Sequence, residues 1–224
     1  MKIFTKIYVL VILALSAANV LAQDIDPLIV LDSAQNKIQN IKSYTADAEI
    51  DVDVDFLQMS PRKAKITYEY PNKLDIDTKG FIMIPKYGFR PFMKTIANED
   101  NMVVFAGREE IDGNNCFILK LLPKVDGKIV MIKLWVRVDD YLIRRSETFT
   151  RRSGSFLIDF IYGKEVLPDK MIFKFETKGI NMPWKIMGNS IDVDEDKFKD
   201  ADMKTGTVTI VFGNYIINYD DDDR

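Results

Sequence analysis

Two acidic runs carry the residues of this 224-residue chain whose spacing most suggests chemistry. Asp51, Asp53 and Asp55, and again Asp192, Asp194 and Asp196, set carboxylates at alternate positions, as a calcium loop begins. Such a loop also needs Gly at its sixth position and Glu at its twelfth. The first run offers Phe56 and Arg62 there and the second Lys197 and Met203, so neither can wrap an ion. Histidine is absent, which removes Ser-His-Asp and Cys-His couples, an imidazole base and His-ligated metals. The single cysteine, Cys116, can form neither an intramolecular disulfide nor a multi-thiolate site, and it reads as a small buried hydrophobe. Carboxylate catalysis has one weak candidate, Asp159 in FLIDFIYG. Alternation puts it beside Leu157 and Ile161, opposite Phe156, Ile158, Phe160 and Tyr162, where it pairs with Arg144 or Arg145. The expectation is a protein without catalytic residues, metal or cofactor.

The elements that surround these residues begin with an export signal. Lys2 and Lys6 precede an uncharged, mostly apolar run over 7–18, and Val20-Leu21-Ala22 suits a signal peptidase, so cleavage is expected after Ala22. That run is too short to cross a bilayer, which needs about 20 apolar residues. Removing it takes two of the 31 basic residues and none of the 34 acidic ones, moving the net charge from −3 to −5. The remainder, 23–224, suits one soluble, mildly acidic domain ending in an acidic tail over 220–224. No basic face dominates, so nucleic acid is not an expected partner.

One helix and then strands follow. Asp26 is a fitting N-cap with Pro27 at the first helical position. Leu28, Leu31, Ala34, Ile38 and Ile41 form one apolar stripe, which predicts an amphipathic helix of about four turns. From 44 to 56 the chain alternates without a break. Tyr44, Ala46, Ala48, Ile50, Val52, Val54 and Phe56 face inward, and Thr45 and the intervening acids face water. After a turn expected near Ser60-Pro61, Ala64, Ile66, Tyr68 and Tyr70 resume the inner face, with Lys63 and Lys65 outside. A hairpin would set those lysines against the acids of the first strand, each opposite pair contributing about 0.2–1 kcal/mol. Further strands are predicted over 74–78, 102–106, 117–122, 129–138, 142–150, 155–163, 171–177 and 207–219. Asp112-Gly113, Asp126-Gly127, Asp139-Asp140 and Ser153-Gly154 sit where hairpin turns belong. One helix with many short strands implies a mainly β fold, a curved antiparallel sheet or unclosed barrel.

Two segments break the alternation. GFIMIPKYGFRPFMK over 80–94 and GINMPWKIMG over 179–188 are apolar and aromatic but broken by Pro85, Gly88, Pro91 and Pro183. Prolines disqualify them as central strands, so they read as apolar loops that either fold over the sheet as lids or expose an apolar patch, unless they merely close the end of the core.

This order of features resembles the bacterial outer-membrane lipoprotein carrier family, of LolA-like and LolB-like proteins. The matching pieces are IQNIKSYTADAEIDVDV, YEYPNKLDID, CFILKLLPK with LWVRVDDYLIRRSETF, and FLIDFIYGKEVLPDKMIFKFE. The resemblance spans most of 26–177 and rests on order and spacing. It implies an unclosed antiparallel barrel under a helical lid, an apolar cavity and a periplasmic carrier that helps sort lipoproteins to the outer membrane. It further implies a monomer, whose partners are the acyl chains, an inner-membrane lipoprotein-releasing transporter and an outer-membrane receptor. The family's arginine before Pro-Asn, implicated in latching the lid, corresponds here to Tyr70, which widens the expected ligand to other lipids.

Physical argument agrees with that expectation. At about 0.8 kcal/mol per buried CH₂, a chain of roughly fifteen methylenes needs shielding worth about 12 kcal/mol, which demands walls and a lid. Ile50, Val52, Val54, Phe56, Ile66 and Tyr68, with Tyr70, Leu74 and Ile76, are the expected cavity lining. Leu28, Leu31 and Ile38 would cap it, and Phe81, Met83, Phe89, Phe92, Met93 and Trp184 would guard its mouth. Two other readings use the same residues differently: an envelope-stress sensor detecting mislocalised lipoproteins or lipids, and a carboxylate hydrolase using Asp159.

Overall fold

The structure, a computed structural model, describes residues 25–54, 57–70, 73–79, 82–85, 101–123, 129–151, 154–178, 184–187 and 203–220. Helix α1 spans Pro27–Gln39, with Asp26 as N-cap accepting the Leu28 N–H at 2.9 Å and Asn40 as C-cap. The helix ends at Gln39, so Ile41 opens the first strand instead of closing the helical stripe. Its buried side chains are Val30, Leu31 and Ala34, while Leu28 is 54% exposed. The helical face is thus rotated from the expected one, with Val30 taking the inward place given to Leu28. Ile38 is partly buried against the same core.

The strands are β1 (Ile41–Val54), β2 (Leu57–Glu69), β3 (Lys73–Thr78), β4 (Ile82–Pro85), β5 (Asn101–Ile111) and β6 (Asn114–Pro123). They continue as β7 (Ile129–Arg137), β8 (Ile143–Thr150), β9 (Ser155–Ile161), β10 (Lys170–Lys178), β11 (Trp184–Met187) and β12 (Met203–Tyr219). Ten of them form one antiparallel sheet in the order β3-β2-β1-β12-β10-β9-β8-β7-β6-β5. β3 and β5 are its two edges, so the sheet does not close into a barrel. The C-terminal strand is the exception to a simple meander: β12 inserts between β1 and β10.

Val54 pairs with Leu57, and Ser60-Pro61 lies inside β2 and not in a turn. Ile50 pairs with Arg62 and Val52 with Met59, so Ser60 and Pro61 together oppose Asp51 as a bulge. β3 pairs with β2 only from Ala64 onward, so no outer neighbour needs an N–H from Pro61. The expected charge ladder is present, with Asp47 opposite Lys65 and Glu49 opposite Lys63. At the β5–β6 turn Asp112 and Gly113 both take positive φ, 48° and 77°, as a tight two-residue hairpin requires.

The two proline-broken segments are not wholly loops. Ile82–Pro85 and Trp184–Met187 pair antiparallel as a separate two-stranded ribbon, with Trp184 opposite Pro85 and Ile186 opposite Met83. Pro85 ends its strand.

Candidate functional site

Cross-strand register fixes which side chains share a face, because paired residues in a sheet point the same way. One row of the inner face runs Val52, Val208, Phe173, Ile158, Ser146, Leu134, Leu119 and Phe105 through eight neighbouring strands. The next runs Val54, Gly206, Phe175, Phe156, Thr148, Ile132, Leu121 and Val103. These rows form an apolar wall, and Val30, Leu31 and Ala34 of α1 belong to the same buried cluster. The helix packs against β5 and β6, at one side of that wall. Gly206 is needed here: a Cβ would stand 2.4 Å from Val54 Cγ1 and 2.6 Å from the Phe175 ring.

Of the residues expected to line a cavity, Ile50, Val52, Val54, Ile66, Tyr68 and Ile76 are buried in or beside this wall, and Leu74 packs against it partly buried. Tyr70 does not join them. It lies just beyond β2, 61% exposed, with its backbone N–H donating to Lys42 O at 2.8 Å. Strand alternation stops constraining a side chain once the strand has ended. Phe56, Phe81, Phe89, Phe92 and Met93 lie outside the described residues. Met83 and Trp184 are described only by their places in β4 and β11.

The inner row ends in tyrosines. Tyr44 stacks on Tyr68 at 5.3 Å between centroids and meets Tyr215 edge-on at 5.9 Å, and Tyr215 stacks on Phe212. Burial, then the neighbouring Tyr68, raises the Tyr44 phenol well above its ordinary range. Burial likewise raises Tyr215, whose hydroxyl donates to Pro168 O at 2.8 Å, and Tyr162, whose hydroxyl donates to Ile143 O at 3.0 Å.

The wall has two polar members, Ser146 and Thr148, 0% and 2% exposed on β8. The Ser146 hydroxyl has no hydrogen-bond partner. Sequence reasoning missed these two, together with Phe156, Phe173 and Phe175. The alternation of FLIDFI and MIFKFE placed the phenylalanines on a common face, but nothing local tied that face to the one formed by β1 and β2.

The opposite face holds the charged groups. Asp159, 5% exposed, accepts from Arg145 Nε at 2.6 Å, with Arg144 Nη1 at 3.6 Å and Lys174 Nζ at 3.9 Å. Arg144 also donates to Phe160 O and to Asp112, fastening the β5–β6 turn to β8 and β9. The expected pairing of Asp159 is therefore present with both arginines, as a hydrogen bond from Arg145 and an ion pair with Arg144. On this side Cys116 is fully buried with Ile111, Ile118 and Trp135, and burial raises its thiol pKa. Lys133 lies 4.1 Å from the centre of the Trp135 ring, whose indole N–H donates to Glu109 at 2.8 Å. An open groove of about 830 Å³ lies elsewhere, lined by Asp47, Glu49, Lys63, Lys65 and Asp77 among others. Its lining mixes apolar residues with charged ones, and Asp47, Glu49 and Asp77 lie opposite lysines in register.

An unclosed antiparallel sheet with an apolar inner face and one amphipathic helix defines the LolA-like fold, and comparison of structures finds it. A domain described as an outer-membrane lipoprotein-sorting protein, from Vibrio parahaemolyticus, matches with a TM-score of 0.52 at 11% identity, over 88% of this chain and 97% of that one. A LolA superfamily protein from Nitrosomonas europaea matches with a TM-score of 0.47 at 10% identity, over 88% of this chain and 96% of that one. No protein-family model and no curated protein matches the chain. At its identity the likeness to the Vibrio parahaemolyticus domain establishes the fold. This chain has the LolA-like architecture.

Proposed function

We propose that this protein is a non-enzymatic periplasmic carrier that shields the acyl chains of lipoproteins, or of another lipid, against its inner sheet face. The observation that carries this reading is the continuous apolar wall from β1 to β5 on a sheet that stays open at both edges. In this reading residues 1–22 export the chain and 23–224 form one binding domain. Ile50, Val52, Val54, Ile66 and Tyr68 are wall residues. α1 is the lid, and the segments around β4 and β11 stand at the mouth. An inner-membrane releasing transporter would load the carrier and an outer-membrane receptor would unload it.

The energies permit such a cycle. The wall is covered in this structure, so a ligand must displace something. With the sheet face re-covered by the ligand, lifting α1 leaves chiefly Val30 and Leu31 of the helix exposed, a cost of about 3–6 kcal/mol at 1.5–3 kcal/mol per large aliphatic side chain. Burying roughly fifteen methylenes returns about 12 kcal/mol, enough to hold the lid open. Native mass spectrometry of protein purified from its secreting host tests the reading. Co-purified lipid supports it. Recovery without lipid, together with failure to bind a fluorescent fatty acid, overturns it.

A further inference from the structure

Among the buried polar groups of the described residues, one is placed against the logic of an apolar wall. Arg144 and Asp159 have partners on the other face: Arg144 donates to a carbonyl and a turn carboxylate, and Asp159 accepts from Arg145. Ser146 is different. It is 0% exposed, its rung neighbours are Leu134 and Ile158, and its hydroxyl bonds to nothing. Two residues on, Thr148 lies on the same face between Ile132 and Phe156, 2% exposed. An unpaired hydroxyl costs stability that alanine or valine at the same place would not, so packing alone does not account for it.

The pair also shapes the wall. Ser146 and Thr148 are smaller than the leucine, isoleucines and phenylalanine beside them on β7 and β9, so a chain laid along β8 would run between larger side chains. The Ser146 hydroxyl can donate one hydrogen bond to a group lying over it. Neither rung neighbour carries charge, so an ionised carboxylate would be desolvated without a counter-charge beside it. A neutral carbonyl needs one donor and no cation.

We infer that Ser146 is a specificity residue of the acyl-binding face, its hydroxyl donating to the ester carbonyl of a bound acyl chain. This inference rests on the carrier reading and adds the class of ligand: acyl esters in preference to free fatty acids or plain hydrocarbons. Binding energy for the chain comes from the apolar wall, whereas Ser146 fixes how deep the chain sits.

The test uses the full mature protein and Ser146→Ala, with N-phenylnaphthylamine as a carbonyl-free apolar probe. Methyl palmitate and palmitate are then titrated as displacing ligands at neutral pH. The expected result is that Ser146→Ala weakens methyl palmitate by about tenfold and leaves the probe within about twofold. Palmitate should bind more weakly than its ester and respond less to the substitution. The urea midpoint of Ser146→Ala should equal or exceed that of the wild type. Unchanged ester affinity overturns the inference, as does equal weakening of ester and probe, or a variant that fails to fold, since these would make the hydroxyl structural. If the wild type binds neither probe nor ester, the carrier reading falls and this inference with it. If the wild type binds both and Ser146→Ala alters neither, only the inference falls.

Discussion

Arg145 Nε donates to Asp159 Oδ1 over 2.6 Å, in a rung of the charged sheet face that continues to Trp135. Arg144 approaches the same oxygen from the preceding position of β8 at 3.6 Å. Both side chains of the Arg144–Asp159 contact are more than nine-tenths buried, so the carboxylate is part of the frame of the sheet.

Asp159→Asn therefore tests a structural role. Removing one partner of a buried pair leaves the other uncompensated, and a loss of about 3 kcal/mol is expected. The urea unfolding midpoint should fall sharply while probe binding at low temperature persists. Loss of binding with unchanged stability would show that Asp159 serves the ligand instead.

Gly206→Ala tests the tightest point of the apolar wall. The new methyl would meet Val54 and Phe175 at 2.4 and 2.6 Å, so a destabilisation of about 1–3 kcal/mol is expected. Val54→Ala in the same chain should recover part of it, because the two sites share the space. Additive losses in a double-mutant cycle would contradict the register described.

Asp26→Ala tests the attachment of α1. It removes the acceptor of the Leu28 N–H, which costs about 1 kcal/mol, or roughly a fivefold faster opening of the first turn. Hydrogen exchange should accelerate over 27–31 while β12 and β10 keep their protection. Exchange that rises across the whole sheet would mean that α1 is a part of the frame and not a lid.

Alkaline pH should unfold the protein through its buried tyrosines. Tyr44, Tyr162 and Tyr215 have phenols raised by burial above the unfolded value of about 10. Above that pH the unfolded chain releases protons that the native chain retains, so stability is complete below about pH 10 and declines as pH rises further. Phenolate absorbance should show part of the tyrosines ionising only together with the loss of tertiary structure. Smooth titration of every tyrosine before unfolding would refute it.

Much of the frame is legible from local pattern. The alternation through β1 and β2 assigns faces because Cβ atoms alternate along any strand, and the lysines do lie opposite the acids. Asp112-Gly113 is legible because few residues accept the positive φ of a two-residue turn. Where the pattern misleads, an element boundary is the cause. Tyr70 lies past the end of β2, Ile41 past the end of α1, and Pro61 inside a bulge instead of a turn. Val30 takes the place of Leu28 because the position of the sheet under α1 selects which flank of the stripe is buried.

The sequence by itself determines which residues are apolar, which alternate and where the chain can turn, since these depend on side chains a few positions apart. Only the tertiary structure decides who meets whom. β12 lies between β1 and β10, the proline-broken segments pair as a ribbon, and Ser146 sits unpaired in the middle of an apolar wall. Those outcomes depend on the free energy of contacts between distant segments, which no local period encodes. The apolar wall is such an outcome, assembled by register from eight strands whose inward residues carry no local mark of belonging together.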